Sequence, residues 1–307
     1  MAITTESKTE LKVVLGTMTL SKEARVHDPN DCATMLDAFQ KHGYNEIDSA
    51  RVYGVAHRAW LWALSSVRTG SGRPSLPGLL ESLQALQGEK IDLWYLHARD
   101  HNTSYAEALE VVNELYKASY FHHFGISNYS VWEVAQICEL YERSGWKKPD
   151  VYQGCYHALQ RSVEPELFPC LRQYGIAFYS SSPVAGGCAH GQGEFRRRYW
   201  NEAYFSALDV IRPVAHKHGI TTAEAAVRWA NYPSSMKKEY SDVVITGASS
   251  AVQLEENLTN LEKGPLPLEL VKAFDEGWAI VTGVCGPYFQ WLSGLRIKFK
   301  FLIDCLL

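Results

Sequence analysis

The chain has 307 residues, 46% of them hydrophobic and 21% charged, and its 30 Lys and Arg against 34 Asp and Glu give a net charge of -4. That balance excludes the basic surface that nucleic acid or an anionic membrane requires, and it leaves an enzyme or a small-molecule binder built as one large domain or two smaller ones. From Met1 to Lys8 there is no apolar core of a signal peptide, and no run approaches a membrane span, so a cytoplasmic protein that does not engage membranes is expected.

Lys12-Val13-Val14-Leu15-Gly16-Thr17-Met18 is a β-branched run closed by glycine, which predicts a buried strand emptying into a loop. Asp31 then opens a helical pattern through Met35, Leu36 and Phe39 that stops at Gly43. In Asn45-Glu46-Ile47-Asp48-Ser49-Ala50-Arg51-Val52-Tyr53-Gly54 a short strand ends in an acid, with a tyrosine five residues later. A phenol whose solution pKa is near ~10 is a poor acid at neutral pH, so this pair carries chemistry only if other groups tune it.

The strand, helix, strand order then repeats. A helix over 77–87 leads to the strand Ile91-Asp92-Leu93-Trp94-Tyr95-Leu96-His97, and one over 105–117 leads to a strand over 121–128. Helices over 130–144 and 163–174 precede strands over 151–156 and 176–183, and a helix over 222–232 precedes the last strand, Val243-Val244-Ile245-Thr246-Gly247. No linker rich in Ser, Gly or Pro interrupts the series. It predicts a parallel sheet with crossover helices, closed as an α/β (β/α)8 TIM barrel with its third strand region shortened or degenerate. One domain is expected over 1–307, with 290–307 an atypical tail.

Asp48, His97, Ser127, Asn128, Gln153, Tyr179 and Ser249 all fall at or just after predicted strand ends. In such a barrel that face carries the active site. The 7 cysteines are odd in number and scattered without a C-x-x-C, which reads as reduced thiols, and the 11 histidines show no ligand spacing, so no metal is expected.

Each of these residues has a plainer reading. His97 could be satisfied by backbone at a strand end; Ser127 and Asn128 could cap the next helix. Gln153 could be a core amide, although a glutamine between aromatics needs partners that an amide-bearing ligand would supply, and Tyr179 could be core or a stacking face. Gly247-Ala248-Ser249-Ser250 opens a helix through Gln253 and Asn257, which is either a capped helix or a phosphate site. Arg196-Arg197-Arg198 is either a surface patch or a phosphate clamp. Gly191-Gln192-Gly193 lacks the third glycine and the preceding strand of a Rossmann fingerprint.

At these residues the chain resembles the aldo-keto reductases, and more closely the aflatoxin-aldehyde-reductase-type branch with its fungal relatives. The matching stretches are Gly16-Thr17-Met18, Asn45 to Gly54, Asp92-Leu93-Trp94-Tyr95-Leu96-His97-Ala98-Arg99-Asp100, Gly125-Ile126-Ser127-Asn128-Tyr129, Val151-Tyr152-Gln153-Gly154, and Gly247-Ala248-Ser249-Ser250 with Gln253 and Asn257. The resemblance implies a (β/α)8 barrel that binds NADPH/NADP+ without a Rossmann domain and reduces an aldehyde or ketone, including polyketide-like carbonyls of secondary metabolism. By that likeness Tyr53 is the proton donor, His97 orients the carbonyl and Asp48 supports the tyrosine. Ser127, Asn128 and Gln153 hold the nicotinamide carboxamide and Tyr179 stacks on its ring. Ser249, Gln253 and Asn257 serve the adenosine end and Arg198, in an Arg-Tyr-Trp resembling the family's Arg-Phe-Trp, the 2′-phosphate; Met18, Asp48, Ser180, Gly186 and Gly247 complete the cofactor set. The partner is a small-molecule carbonyl substrate, and a homodimer is compatible with the sequence.

The chain departs from the family at the third strand, whose terminal lysine depresses the tyrosine pKa. Between Tyr53 and His97 the only lysine is Lys90, at the wrong end of the barrel. Either residues 60–67 form a makeshift third strand, with Arg68 replacing the lysine and Gly70-Ser71-Gly72-Arg73-Pro74 a loop, or the strand and its lysine are lost. The second case leaves an NADP(H)-binding protein with weak or no catalysis. The loop after Gly187 is also abbreviated.

Overall fold

Eight strands pair in chain order: β1 (Lys12–Gly16), β2 (Glu46–Asp48), β3 (Ser66–Ser71), β4 (Ile91–Leu96), β5 (Phe121–Ser127), β6 (Val151–Cys155), β7 (Ala177–Ser181) and β8 (Val243–Thr246). Every pair is parallel and β8 returns to β1, so the barrel is closed. The computed structural model describes residues 8–20, 25–50, 66–71, 76–100, 102–185 and 194–289.

Successive side chains of a strand point to opposite faces, and here both faces are covered, which is why the strands read as continuous apolar runs. Val14, Leu93, Tyr95, Val151, Ala177, Tyr179, Val243 and Ile245 fill the barrel interior. Their neighbours of opposite parity, among them Trp94, Leu96, Phe124, Ile126, Tyr152 and Phe178, pack outward on the helices.

Those helices are α1 (Pro29–Lys41), α2 (Leu76–Leu86), α3 (Tyr105–Lys117), α4 (Val131–Ser144), α5 (Leu167–Gln173), α6 (Glu194–Tyr199), α7 (Glu202–Lys217), α8 (Thr222–Asn231), α9 (Ala251–Leu261) and α10 (Leu268–Val281). Their starts are set by side-chain oxygens that accept otherwise unpaired amide hydrogens. Asp28 accepts from Asn30, Ser104 from Glu107, Thr221 from Glu224 and Ser250 from Gln253. Helix α1 starts earlier than the predicted Asp31 because Asp28 caps it and Pro29 suits a first turn. Gly43, at φ +87°, ends it as expected.

Two other differences have local causes. Helix α5 begins at Leu167 and not at 163, because Pro165 lacks an amide hydrogen and disfavours helical backbone before it. The third strand is present, but it lies later than 60–67, and Gly70 and Ser71, read as loop, pair with Tyr95 and Leu96. Its Ser-Val-Arg-Thr-Gly-Ser composition is degenerate for a strand, and what places it is pairing to β2 and β4. Helices α7 and α10 went unpredicted. They pack face to face where a Cβ on Gly277 would come within 2.9 Å of Ile211 Cδ1.

The N-terminal ends of the strands share one device. Asp150, just before β6, accepts from the Phe124 amide of β5 at 2.8 Å. Asp242, just before β8, accepts from the Phe178 amide of β7 at 2.8 Å. Each carboxylate thus ties a strand to its neighbour at the end of the barrel remote from the polar ring.

Candidate active site

At the opposite end, Asp48 closes β2. Thr17 donates both its backbone N–H and its hydroxyl to the Asp48 carbonyl at 2.9 Å, which anchors the strand end to the exit of β1. The Asp48 side chain accepts from Gln153 Nε2 at 2.9 Å, and since β2 and β6 are four strands apart this bond crosses the barrel. Gln153 and Tyr179 sit in the middle of their strands, not at the ends as expected. Parallel stagger brings them level with the rim, because Ser127, the last residue of β5, is in register with Gln153, and Gln153 with Tyr179.

Asp48, Ser49, Ala50, Tyr95, His97, Ser127 and Gln153 line a cavity of about 10 Å³, room for about one water. Tyr95 was not singled out in the sequence, yet it shares strand parity with Leu93 and His97, the signal that could have found it. Its ring lies on Gly125, where a Cβ would come within 2.4 Å of the ring carbons, so only glycine fits there. Thr17, the anchor of Asp48, was quoted only as part of a motif.

His97 follows β4, and burial lowers its pKa, so the imidazole is neutral at physiological pH and keeps an N–H to donate. Its carbonyl accepts from Asn128 Nδ2 at 2.8 Å, and the same nitrogen reaches Ser127 Oγ at 3.1 Å. Asn128 has φ +63°, a left-handed conformation that asparagine tolerates better than most residues. Tyr179 is buried in the barrel core beside Gln153, whereas Ser180 faces outward and donates to the Tyr156 carbonyl at 2.7 Å.

A second group lies at the turn from β8 into α9. Gln253 Oε1 accepts from the Ser249 amide at 2.7 Å and from its hydroxyl at 2.9 Å, and Asn257 Nδ2 donates to the Gly247 carbonyl at 3.2 Å. These bonds organise the turn internally. Met18, in the loop after β1, is half exposed.

Arg198 is held by other residues. It donates to the Pro287 carbonyl and interacts with Tyr199, Cys155 and Cys285. Around it, His157 Nδ1 accepts from the Leu159 amide at 3.2 Å, which leaves Nε2 to donate to Tyr199 Oη at 3.0 Å. Burial and the neighbouring Arg198 and Arg161 lower the His157 pKa to about 3. Gln160 joins the same cluster, donating to the Gly286 carbonyl at 2.8 Å and accepting from Cys285.

Tyr53 and Gly186 lie outside the described residues. Arg68 is paired in register with Asp48 on one side and Leu93 on the other. Among the described residues no group of His, Cys, Asp and Glu could hold a metal ion, and no helix is long and apolar enough to cross a membrane.

Residues 75–279 match the Aldo/keto reductase family model. An aldo-keto reductase of Pseudocercospora fijiensis is 52% identical over an alignment covering 83% of this chain and 100% of the relative. The aldo-keto reductase pigE of Monascus ruber is 36% identical, covering 92% and 98%, and aflatoxin B1 aldehyde reductase member 2 of Mus musculus is 35% identical, covering 90% and 87%. The alignment with pigE runs over 337 positions, more than this chain's 307 residues, so stretches of that relative have no counterpart here.

Proposed function

The chain belongs to the aldo/keto reductase family and is an NADP-dependent oxidoreductase, and on that premise we propose that it reduces an aldehyde or ketone to an alcohol with Tyr53 as proton donor. The observation that carries this reading is the convergence of Asp48, His97, Ser127 and Gln153 on one cavity at the C-terminal end of the barrel. The donor set suits a nicotinamide carboxamide, since Ser127, Asn128 and Gln153 together offer hydroxyl and amide groups of both hydrogen-bonding senses. When bound, the reduced nicotinamide supplies the hydride.

The residues of the chain do the rest. His97, neutral because it is buried, donates an N–H to the carbonyl oxygen and orients it. Asp48, held at its backbone by Thr17, supports the Tyr53 phenol as it passes its proton to that oxygen. Tyr179 offers a flat face to the nicotinamide ring, and Ser249, Gln253 and Asn257 form the turn that receives the adenosine end. Arg198 is assigned to the 2′-phosphate. The name of the Mus musculus relative, an aflatoxin B1 aldehyde reductase, makes reactive aldehydes the first substrates to try.

The test mixes the protein with NADPH and 4-nitrobenzaldehyde and follows loss of NADPH absorbance. Turnover in the wild type that disappears in Tyr53→Phe is the expected result. A second reading, an NADP(H)-binding protein with weak catalysis, is favoured by Arg68 standing beside Asp48 where the likeness implies a lysine nearby, since a guanidinium keeps its charge but does not exchange a proton. Tight NADPH binding without turnover selects it.

A further inference from the structure

At the start of α4, Glu133 Oε2 accepts from both the amide and the hydroxyl of Ser130 at 2.7 Å. In a capping box the glutamate's work ends there. Here its other oxygen, Oε1, reaches a different part of the chain, accepting from Arg99 Nη1 at 2.7 Å and from Tyr105 Oη at 2.5 Å, while the Arg99 guanidinium lies 4.7 Å over the Tyr105 ring. Burial pushes the Glu133 pKa up, but the hydrogen bonds from Tyr105, Ser130 and Arg99 outweigh it and hold the carboxyl below its ordinary value, so the group is an ionised, four-donor anchor. Capping a helix requires no guanidinium. The arrangement also has a cost, since Arg99 Nε is buried without a hydrogen-bond partner among the described residues.

The place of the pair explains its use. Arg99 follows His97 by two residues, and Glu133 follows Ser127 by six. The ladder between β4 and β5 ends at Leu96 and Ile126, one residue before His97 and Ser127. Beyond it the tie between the two loops is continued by Asn128 Nδ2, which donates to the His97 carbonyl at 2.8 Å, and by Arg99 on Glu133.

We propose that Arg99 is a positioning residue for His97: through Glu133 it moors the loop after β4 to the capped start of α4, and so fixes the spacing between the imidazole and the Ser127–Asn128 strand end. The mooring stands on the geometry alone; its effect on turnover rests on the reductase reading.

Two measurements on the full-length protein test it. The first is the imidazole 1H–15N spectrum of histidine-labelled protein, in which the His97 signal is the one lost in His97→Gln. Arg99→Met should shift or broaden that signal. Arg99→Lys should leave it near the wild-type position, because only one guanidinium nitrogen bonds Glu133 and an ammonium can stand in for it. Asp242→Asn, which loosens the barrel at its other end by weakening the Arg172 pair, is the control and should not move it. An unmoved His97 signal in Arg99→Met, or an equal shift in Asp242→Asn, overturns the mooring.

The second is turnover of NADPH with 4-nitrobenzaldehyde, per folded molecule. A catalytic group displaced by about 1 Å can cost about 10²-fold, so Arg99→Met should lower kcat by about ten- to a hundredfold with KM for the aldehyde within about threefold. Arg99→Lys should recover kcat to within about threefold of wild type. An unchanged kcat in Arg99→Met, or equal losses in the methionine and lysine variants, overturns the positioning role. A wild type without turnover defeats the reductase reading, while the spectra still decide the mooring.

Discussion

Two buried aspartates mark the two ends of this barrel, and their surroundings differ in kind. Asp242, at the N-terminal end, is enclosed by donors: Arg172 reaches it with both terminal nitrogens at 3.0 and 2.6 Å, and the amides of Phe178 and Lys237 each donate at 2.8 Å. Its side chain is 0% exposed, and the four donors saturate it. Asp48, at the C-terminal end, accepts from an amide carried across the barrel and borders a cavity. The first arrangement holds strands together; the second sets a carboxylate beside a small cavity at the rim. The same residue type ties strands together at one end and borders the rim cavity at the other, in line with the division of labour between the faces of such barrels.

Asp48→Asn gives the largest expected effect, a loss of about 10²–10⁴-fold in kcat with the melting temperature nearly unchanged. Steady-state kinetics beside a thermal melt checks both halves. Asp242→Asn should do the reverse, costing about 3–5 kcal/mol in chemical denaturation because it breaks a buried, hydrogen-bonded ion pair, while kcat per folded molecule holds. If the two variants exchange these phenotypes, the contrast between the ends is wrong.

His157 sharpens the comparison, because it sits on the catalytic side of the barrel yet is partnered at both ring nitrogens. Folded, it titrates at about 3; unfolded, near ~6.5, so on acidification the unfolded chain takes up the proton first. Stability is therefore complete above about pH 6.5 and falls towards pH 3, with about 2 kcal/mol gone at about pH 5. Urea titrations across pH should show this slope, and His157→Gln should remove its share of it. The smallest effect is expected at Gln253→Ala, which unties the turn after β8 at about 1 kcal/mol or less and weakens NADPH only a few-fold by fluorescence titration.

The strands were legible wherever an apolar run was long enough to be buried on both faces, as in Ile91–Leu96 and Val243–Thr246. The third strand was not, because Ser66–Ser71 contains no such run and owes its place to its neighbours. Helix α7 was obscured by Pro213 in its interior. Among the site residues, Asp48, His97, Ser127 and Gln153 could be picked out as polar groups at or near strand ends, and they do share one cavity. Tyr95 was hidden within a hydrophobic strand, although its parity with His97 places it on the inner face. Arg198 could be named from its motif, but its partners, the Pro287 carbonyl and the cluster around Tyr199, could not.

By itself the sequence determined the alternation of most strands and helices, the polarity of the rim and the family, since each is written in local composition, periodicity and short motifs. Only the tertiary structure decided that Gln153 meets Asp48, that Arg68 stands level with Asp48, and that Arg172 closes on Asp242 at the other end of the barrel. Those relations depend on closure and stagger of the barrel, which bring together residues a hundred positions apart, and no local pattern encodes a distance measured across a closed sheet.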